Sequence, residues 1–256
     1  MTHSALLALT VALGLRHGVD PDHLAVIDGL SRVRPSRWNG VLFAIGHGAL
    51  VTLLAVGVGG LLARVIGPYT PWLLILLGGI NLWRLISPVP HHHRGFSRIG
   101  RTSPLLLGVF FGAGFETASQ LSALVLAADI NPWILGILFS AGMVLVDGTD
   151  GYLAYRTQSQ AIAGGRRALR ASRALGIFVV VFSFALGGAE LLNLDVDRVA
   201  LPLGCVLFVY LVALRIWGAS ETAEGTHSNS TAETESTLFE PESALADGTG
   251  RESPSF

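Results

Sequence analysis

The sequence has no lysine, one cysteine and few charged residues of any kind. Charged residues make up 14% of the 256 residues, whereas about 25% is usual for a soluble domain. The single Cys205 excludes an intramolecular disulfide and any metal site built from several cysteines of one chain. Neither a nucleotide-binding loop nor an HExxH zinc signature occurs. These absences argue against a soluble domain, a disulfide scaffold and a chain that hydrolyses ATP itself.

Long apolar runs dominate what is present, and the mean hydropathy is +0.57. A helix needs about 20 mostly apolar residues to cross the hydrocarbon core of a bilayer, and repeated single spans must be helical because lipid offers no partners to the backbone. The runs lie near residues 4–30, 39–63, 69–87, 104–128, 133–156, 173–192 and 199–217. We therefore predict an all-α, polytopic integral membrane protein with about seven transmembrane helices.

The arginines predict the orientation in the cytoplasmic membrane. If the N-terminus is outside, twelve arginines fall in or beside cytoplasmic loops and only Arg64 and Arg198 in outer loops. This bias satisfies the positive-inside rule with an odd number of spans. We predict a multi-pass protein with its N-terminus outside and its C-terminus in the cytoplasm.

The composition changes at Ala219. Residues 1–218 hold 16 arginines and ten acidic residues, whereas residues 219–256 hold eight acidic residues and only Arg251. A segment rich in Ser, Thr, Glu and Gly buries too little apolar surface to offset its ordering entropy. We predict a transmembrane transport domain at 1–218 and a disordered acidic cytoplasmic tail at 219–256, and we expect no nucleic-acid partner.

Ionisable groups inside membrane spans are costly, so a functional role is the default hypothesis. The first span carries the densest group: His17, Asp20, Asp22, His23 and Asp28. Imidazole together with carboxylate suits divalent nickel, cobalt or zinc. Pro21 cannot donate to the carbonyl of His17, so the helix should break there. We predict a discontinuous first helix that brings His17, Asp22 and His23 around one ion and leaves the His17 carbonyl free as a further ligand.

Three other spans add polar groups. His47 lies between Gly46 and Gly48, which would allow another helix to approach closely. His47 is a metal ligand or gate, or alternatively a packing histidine.

Asp147 and Asp150 share one face of the fifth span and can act together on a cation or a coupling proton. The competing interpretation pairs either of them with a buried histidine or with Arg16. Asp20, Asp28 and Glu116 complete the candidate path or coupling residues.

Two further histidine features lie outside these spans. The run His91 to His93 falls in a predicted cytoplasmic loop, where it either hands over metal or binds it weakly without a role in transport. His3 is 14 residues from His17, about 21 Å along a helix, so the two cannot easily serve one site.

Four motifs together resemble those of the nickel/cobalt transporter family. The HX4DH pattern in HGVDPDHLAVID, with His17, Asp22 and His23, is similar to the family's HAxDADHIxxID, and FAIGHGALV to its second motif. GFETASQ resembles GFDTATE, and GMVLVDGTDG resembles GMxLxDTxDG. The resemblance covers the first to fifth spans and implies high-affinity uptake of Ni2+ or Co2+, the transported substrate, for metalloenzymes. We also expect a cytoplasmic metal acceptor as a partner.

The chain departs from those motifs at several positions. Pro21 replaces Ala, Glu116 replaces Asp, Gln120 replaces Glu and Gly148 replaces Thr. Family members are usually described with eight spans, so the first of these has no counterpart among the seven predicted here.

The leading hypothesis is therefore a secondary carrier that takes up nickel or cobalt through His17, Asp22, His23 and His47, without enzymatic activity or a resident cofactor. Efflux is the alternative, because the same ligands could load from the cytoplasm. An intramembrane metalloenzyme and a membrane subunit that depends on an ATPase partner remain as further interpretations.

Overall fold

The computed structural model describes residues 2–87, 103–114, 118–194 and 197–238. Every regular element in these ranges is helical. The helices are α1 (His3–Gly18), α2 (Pro21–Val33), α3 (Asn39–Ala55), α4 (Gly60–Ile66), α5 (Thr70–Ile86), α6 (Ser103–Gly114), α7 (Ala118–Leu126), α8 (Pro132–Ile162), α9 (Arg166–Leu191) and α10 (Asp197–Leu238). A short 3-10 turn, Gly67–Tyr69, joins α4 to α5. The predicted all-α architecture is confirmed.

The first apolar run is broken where the proline predicts it. Helix α1 ends at Gly18, and Pro21 is the first residue of α2, where its missing N–H has no partner to lose. One detail of the prediction is wrong: the His17 carbonyl is not free, because the backbone N–H of Asp20 donates to it at 3.0 Å. The turn between α1 and α2 closes this bond in place of the one that proline cannot make.

Four helical stretches of the described chain are long and apolar enough to cross a membrane. They are Arg64–Ile86, Pro132–Ile162, Arg166–Leu191 and Arg198–Ser220. Shorter apolar helices, Asn39–Ala55 and Pro104–Gly114, accompany them. Helices α1 and α2 together occupy the first predicted span, α3 and α4 the second, and α6 and α7 the fourth. The fold is that of a polytopic membrane protein, and the count of seven spans stays a prediction.

Glycines set the distances between the central helices. A Cβ atom built on Gly46 would lie 2.0 Å from the Leu105 carbonyl oxygen of α6, and one on Gly48 would lie 1.9 Å from Ser140 Oγ of α8. The predicted close approach at these two glycines is confirmed. Gly40 of α3 is tighter still, because its Cβ would lie 1.7 Å from the Asp147 carbonyl oxygen. Helix α3 thus packs closely against both α6 and α8, and His47 is the residue between the two contact glycines Gly46 and Gly48.

Polar and apolar side chains are distributed as in a membrane protein. Large apolar side chains face outward, including Leu61 at 76% and Val125 at 74% relative exposure. The buried interior contains histidines, aspartates and an arginine at 0–5% exposure. Apolar surface suits contact with lipid, while the buried charges require partners inside the bundle.

Helix α10 continues beyond the predicted domain boundary. The sequence predicts disorder from Ala219, whereas the helix runs on to Leu238. Residues 239–256 lie outside the described ranges. The division at residue 218 stays a prediction, now with a helical connection across it.

Candidate metal site

Three histidines from three helices meet in the interior. His17 lies in the last turn of α1, His23 in the first turn of α2, and His47 in the middle of α3. One ring nitrogen from each of the three lies within 4.8 Å of the others, and all three side chains are fully buried. The break at Pro21 is what brings His17 and His23 together, since six residues of straight helix would direct them to different faces.

The three rings form one compact group. Their centroids are 4.6 to 4.8 Å apart, and Nε2 of His17 lies 2.9 Å from Nε2 of His47. Phe139 packs against His17 at 5.4 Å and Phe43 against His23 at 4.9 Å between ring centroids. Aromatic walls of this kind exclude water and so strengthen electrostatic interactions within the group.

Two carboxylates contact the Nδ1 atoms of His17 and His23. Nδ1 of His17 is 2.8 Å from Oδ2 of Asp20, and Nδ1 of His23 is 3.0 Å from Oδ2 of Asp147. An ionised carboxylate only accepts hydrogen bonds, so Nδ1 donates in both rings and Nε2 keeps its lone pair. A carboxylate behind the distal nitrogen is the usual support of a metal-binding histidine.

The structure places Asp22 differently from the predicted ligand. It is buried at 5% exposure, and its Oδ2 has no hydrogen-bond partner among the described residues. In the part of the chain that the structure describes, it contributes no atom to the group of His17, His23 and His47. Asp20 makes the carboxylate contact to His17 instead.

A second buried charge cluster lies beside the histidines. The Arg215 guanidinium of α10 donates from Nη2 to Asp28 Oδ1 and from Nη1 to Asp150 Oδ1, both at 2.6 Å. All three side chains are at most 2% exposed. Asp150 is one helical turn from Asp147, so this cluster is a direct neighbour of the site. We call Asp28, Arg215 and Asp150 the charge triad.

The sequence analysis did not identify Arg215. The residue lies near the end of the last predicted span, where an arginine usually extends to the membrane surface. Its presence inside a span was the one signal that could have marked it. The shared face of Asp147 and Asp150 exists, but the two carboxylates face different partners. The pairs match the competing interpretation in part: Asp147 contacts a buried histidine, His23, and Asp150 pairs with an arginine, which is Arg215 and not Arg16.

Four other features of the sequence lie outside the group of three histidines or outside the described residues. Glu116 and the His91 to His93 run fall outside the described residues. His3 is exposed at the start of α1. Gln120 of α7 is fully buried.

The fold and its interior define a polytopic membrane protein whose helices enclose histidines and aspartates, the side-chain types that bind metal cations. Comparison with known families gives a more specific result. The model of the NicO family, described as high-affinity nickel-transport protein, matches residues 4–70 and 91–223. The chain belongs to this family, which is a family of transporters and not of enzymes. The resemblance drawn from the four motifs is thereby confirmed.

Several curated relatives are similar over about two thirds of their length or more. A nickel transporter of Staphylococcus aureus is 28% identical over 79% of this chain and 78% of its own. A high-affinity nickel transport protein of Cupriavidus necator is 27% identical, covering 74% of this chain and 70% of its own. A cobalt transport protein of Rhodococcus rhodochrous is 26% identical, covering 70% and 68%. No solved structure matches the chain significantly.

Proposed function

We propose that this protein is a secondary carrier that takes up Ni2+ or Co2+ across the cytoplasmic membrane through the buried site of His17, His23 and His47. The observation that carries the proposal is the convergence of three fully buried imidazoles from three helices. Two nitrogens that bind one ion at about 2.1 Å each are at most about 4.2 Å apart. Atoms as far apart as the observed limit of 4.8 Å would therefore have to approach each other by at least about 0.6 Å to bind one ion.

The type of ligand supports nickel or cobalt. Imidazole suits first-row transition metals, whereas magnesium and calcium prefer an all-oxygen site. The family description names nickel, and relatives named for nickel and for cobalt are both present. Asp22 remains the proposed fourth ligand, and it reaches the ion only after its side chain turns toward the histidines.

The buried charges favour a cation in this interior. The buried residues of the described chain include one arginine, Arg215, and five aspartates: Asp20, Asp22, Asp28, Asp147 and Asp150. When the carboxylates are ionised, the surplus is negative and attracts a divalent ion. We propose that Asp20 and Asp147 compensate charge behind the histidines, and that Glu116, Asp28 and Asp150 belong to the path or to coupling.

Uptake is the proposed direction. The positive-inside bias supports an outer N-terminus and a cytoplasmic C-terminus. A divalent cation that moves inward across −100 mV gains roughly 4.6 kcal/mol, which drives accumulation without ATP. A cytoplasmic metal acceptor would then remove the ion from the inner face.

The test is accumulation of radioactive nickel in cells that express the wild type or His17→Ala, with His3→Ala as a matched control. His3 is on the same helix but exposed, so its removal should leave uptake unchanged. Wild-type uptake should be saturable, blocked by excess cobalt, and abolished by His17→Ala at equal protein level in the membrane.

Two results would overturn the proposal. Loss of nickel from the cells relative to an empty vector would reverse the direction to efflux. Undiminished uptake by His17→Ala would remove the three-histidine site from the path. Uptake by the purified protein in liposomes would confirm that no ATPase partner is needed.

A further inference from the structure

The ring nitrogens of the three histidines are not supported in the same way. His17 and His23 each have a carboxylate behind Nδ1, from Asp20 and Asp147. No carboxylate of the described residues stands behind His47. Its Nδ1 is buried and has no hydrogen-bond partner among the described residues. A buried ring N–H without an acceptor costs about as much as a lost hydrogen bond, so an acceptor should exist nearby.

Gln120 lies at this position. Its side chain is fully buried and lies next to the His47 ring. Nε2 of Gln120 donates to the Gly112 carbonyl oxygen at 3.0 Å. Gly112 itself packs on His47, because a Cβ at Gly112 would lie 3.5 Å from His47 Cδ2. The glutamine is thus anchored to the backbone that borders the histidine.

The anchor fixes which way the carboxamide points. A carbonyl oxygen can only accept, so the group bonded to Gly112 must be the NH2 of Gln120. Oε1 then points away from Gly112, and it too is buried without a hydrogen-bond partner among the described residues. One atom that needs an acceptor and one that needs a donor are therefore left on neighbouring side chains, His47 Nδ1 and Gln120 Oε1.

We infer that Gln120 is a positioning residue for the metal site: its Oε1 accepts the Nδ1 proton of His47 and so directs the Nε2 lone pair toward His17 and His23. Each ring then has one acceptor behind it, from Asp20, Asp147 and Gln120. The effect on nickel rests on the proposed function, whereas the effect on the His47 ring does not.

The 2.9 Å contact between His47 Nε2 and His17 Nε2 shows why His47 needs an acceptor at Nδ1. His17 Nε2 holds a lone pair, because its Nδ1 donates to Asp20. A neutral His47 has one ring proton and two acceptors that compete for it, His17 Nε2 on one side and Gln120 Oε1 on the other. If the proton lies on Nε2, His47 cannot bind a cation through that atom. Gln120 stabilises the tautomer that can.

Two substitutions at residue 120 separate this role from a structural one. Gln120→Leu removes the acceptor and the anchor to Gly112. Gln120→Glu, which has the residue usual in the third motif, keeps an acceptor but cannot donate to Gly112 when ionised. If only the anchor mattered, the two variants would fail alike. Loss of an outer hydrogen-bond partner typically weakens metal binding by about 10- to 100-fold.

The experiment combines two measurements on purified full-length protein. Nitrogen NMR of labelled histidine, without metal, reports which nitrogen of His47 carries the proton. Titration with Ni2+ gives the affinity. We expect Gln120→Leu to raise the share of the Nε2–H tautomer and to weaken nickel binding by about 10- to 100-fold. Gln120→Glu should keep the wild-type tautomer and stay within a few-fold of wild-type affinity.

The inference is overturned if Gln120→Leu leaves the tautomer of His47 unchanged, or if both variants lose affinity equally. The tautomer measurement needs no metal, so it decides the inference even if His17→Ala shows that nickel does not use this site.

Discussion

Replacement of Arg215 by alanine should be among the most destabilising single changes in the membrane domain. The guanidinium bridges two carboxylates from two other helices, Asp28 of α2 and Asp150 of α8, at 2.6 Å each. It also contacts the Asp150 carbonyl oxygen at 3.3 Å. Arg215→Ala would leave two buried carboxylates together without a counter-charge, and both would have lost their charge-assisted hydrogen bonds.

The expected magnitude follows from the burial. Removal of one partner of a buried ion pair costs about 3–5 kcal/mol, because the remaining charge stays desolvated. For a chain of this size, such a loss lowers the melting temperature by roughly 6–20 °C. Lysine in place of Arg215 keeps the charge but not the two-pronged geometry, so Arg215→Lys should fall between the alanine variant and the wild type.

Thermal unfolding of the detergent-purified protein measures this effect, with Arg198→Ala as the control. Arg198 is also on α10 but is exposed, so its removal should change the melting temperature little. Neutralising the partners with Asp28→Asn and Asp150→Asn should recover most of the stability of Arg215→Ala, because the uncompensated charges are then gone. A melting temperature for Arg215→Ala equal to that of the wild type would refute the reasoning, and so would a triple variant no more stable than the single one.

Two other predictions concern packing and orientation. Gly40→Ala should prevent stable folding, since its Cβ would lie 1.7 Å from the Asp147 carbonyl oxygen and the backbone there cannot move without a large cost in free energy. Size-exclusion chromatography measures this, and a monodisperse peak would contradict the prediction. The control is Gly79→Ala, because nothing lies within 4 Å of a Cβ at that position. A green fluorescent protein fused after Phe256 should fluoresce, because the C-terminus is predicted to be cytoplasmic, and a dark fusion that is nevertheless inserted would reverse the orientation.

Features that depend on local chemistry were predictable from the sequence. The break before Pro21 follows from a missing backbone N–H, and the close approach at Gly46 and Gly48 from missing side chains. The Asn131 cap of α8, which accepts from the Trp133 N–H at 3.0 Å, follows from the Asn-Pro pair. The three histidines stood out for the same reason, because imidazoles are rare and costly inside apolar spans. The structure brings them together, whereas metal binding by them and by Asp22 stays a prediction.

Features that depend on pairing across long sequence separations were not predictable. Arg215 is 187 residues from Asp28 and 65 from Asp150, and its position near the end of a span did not separate it from an arginine that extends to the membrane surface. Which aspartate contacts His17 also depended on the exact turn after Gly18. There the Asp20 N–H closes a bond to the His17 carbonyl, and this bond holds the Asp20 carboxylate beside His17.

The same geometry relates the charge triad to the proposed metal site. Asp147 holds His23, and Asp150, one turn further along α8, holds Arg215. A rigid α8 thereby fixes the distance between an uncharged ligand group and a buried cation. If the histidine group binds a divalent ion as proposed, that ion raises the positive charge near Arg215, and the aspartates of both clusters offset it. Loss of Arg215 should consequently strengthen nickel binding while it lowers stability. The bound ion would then no longer be repelled by a neighbouring guanidinium.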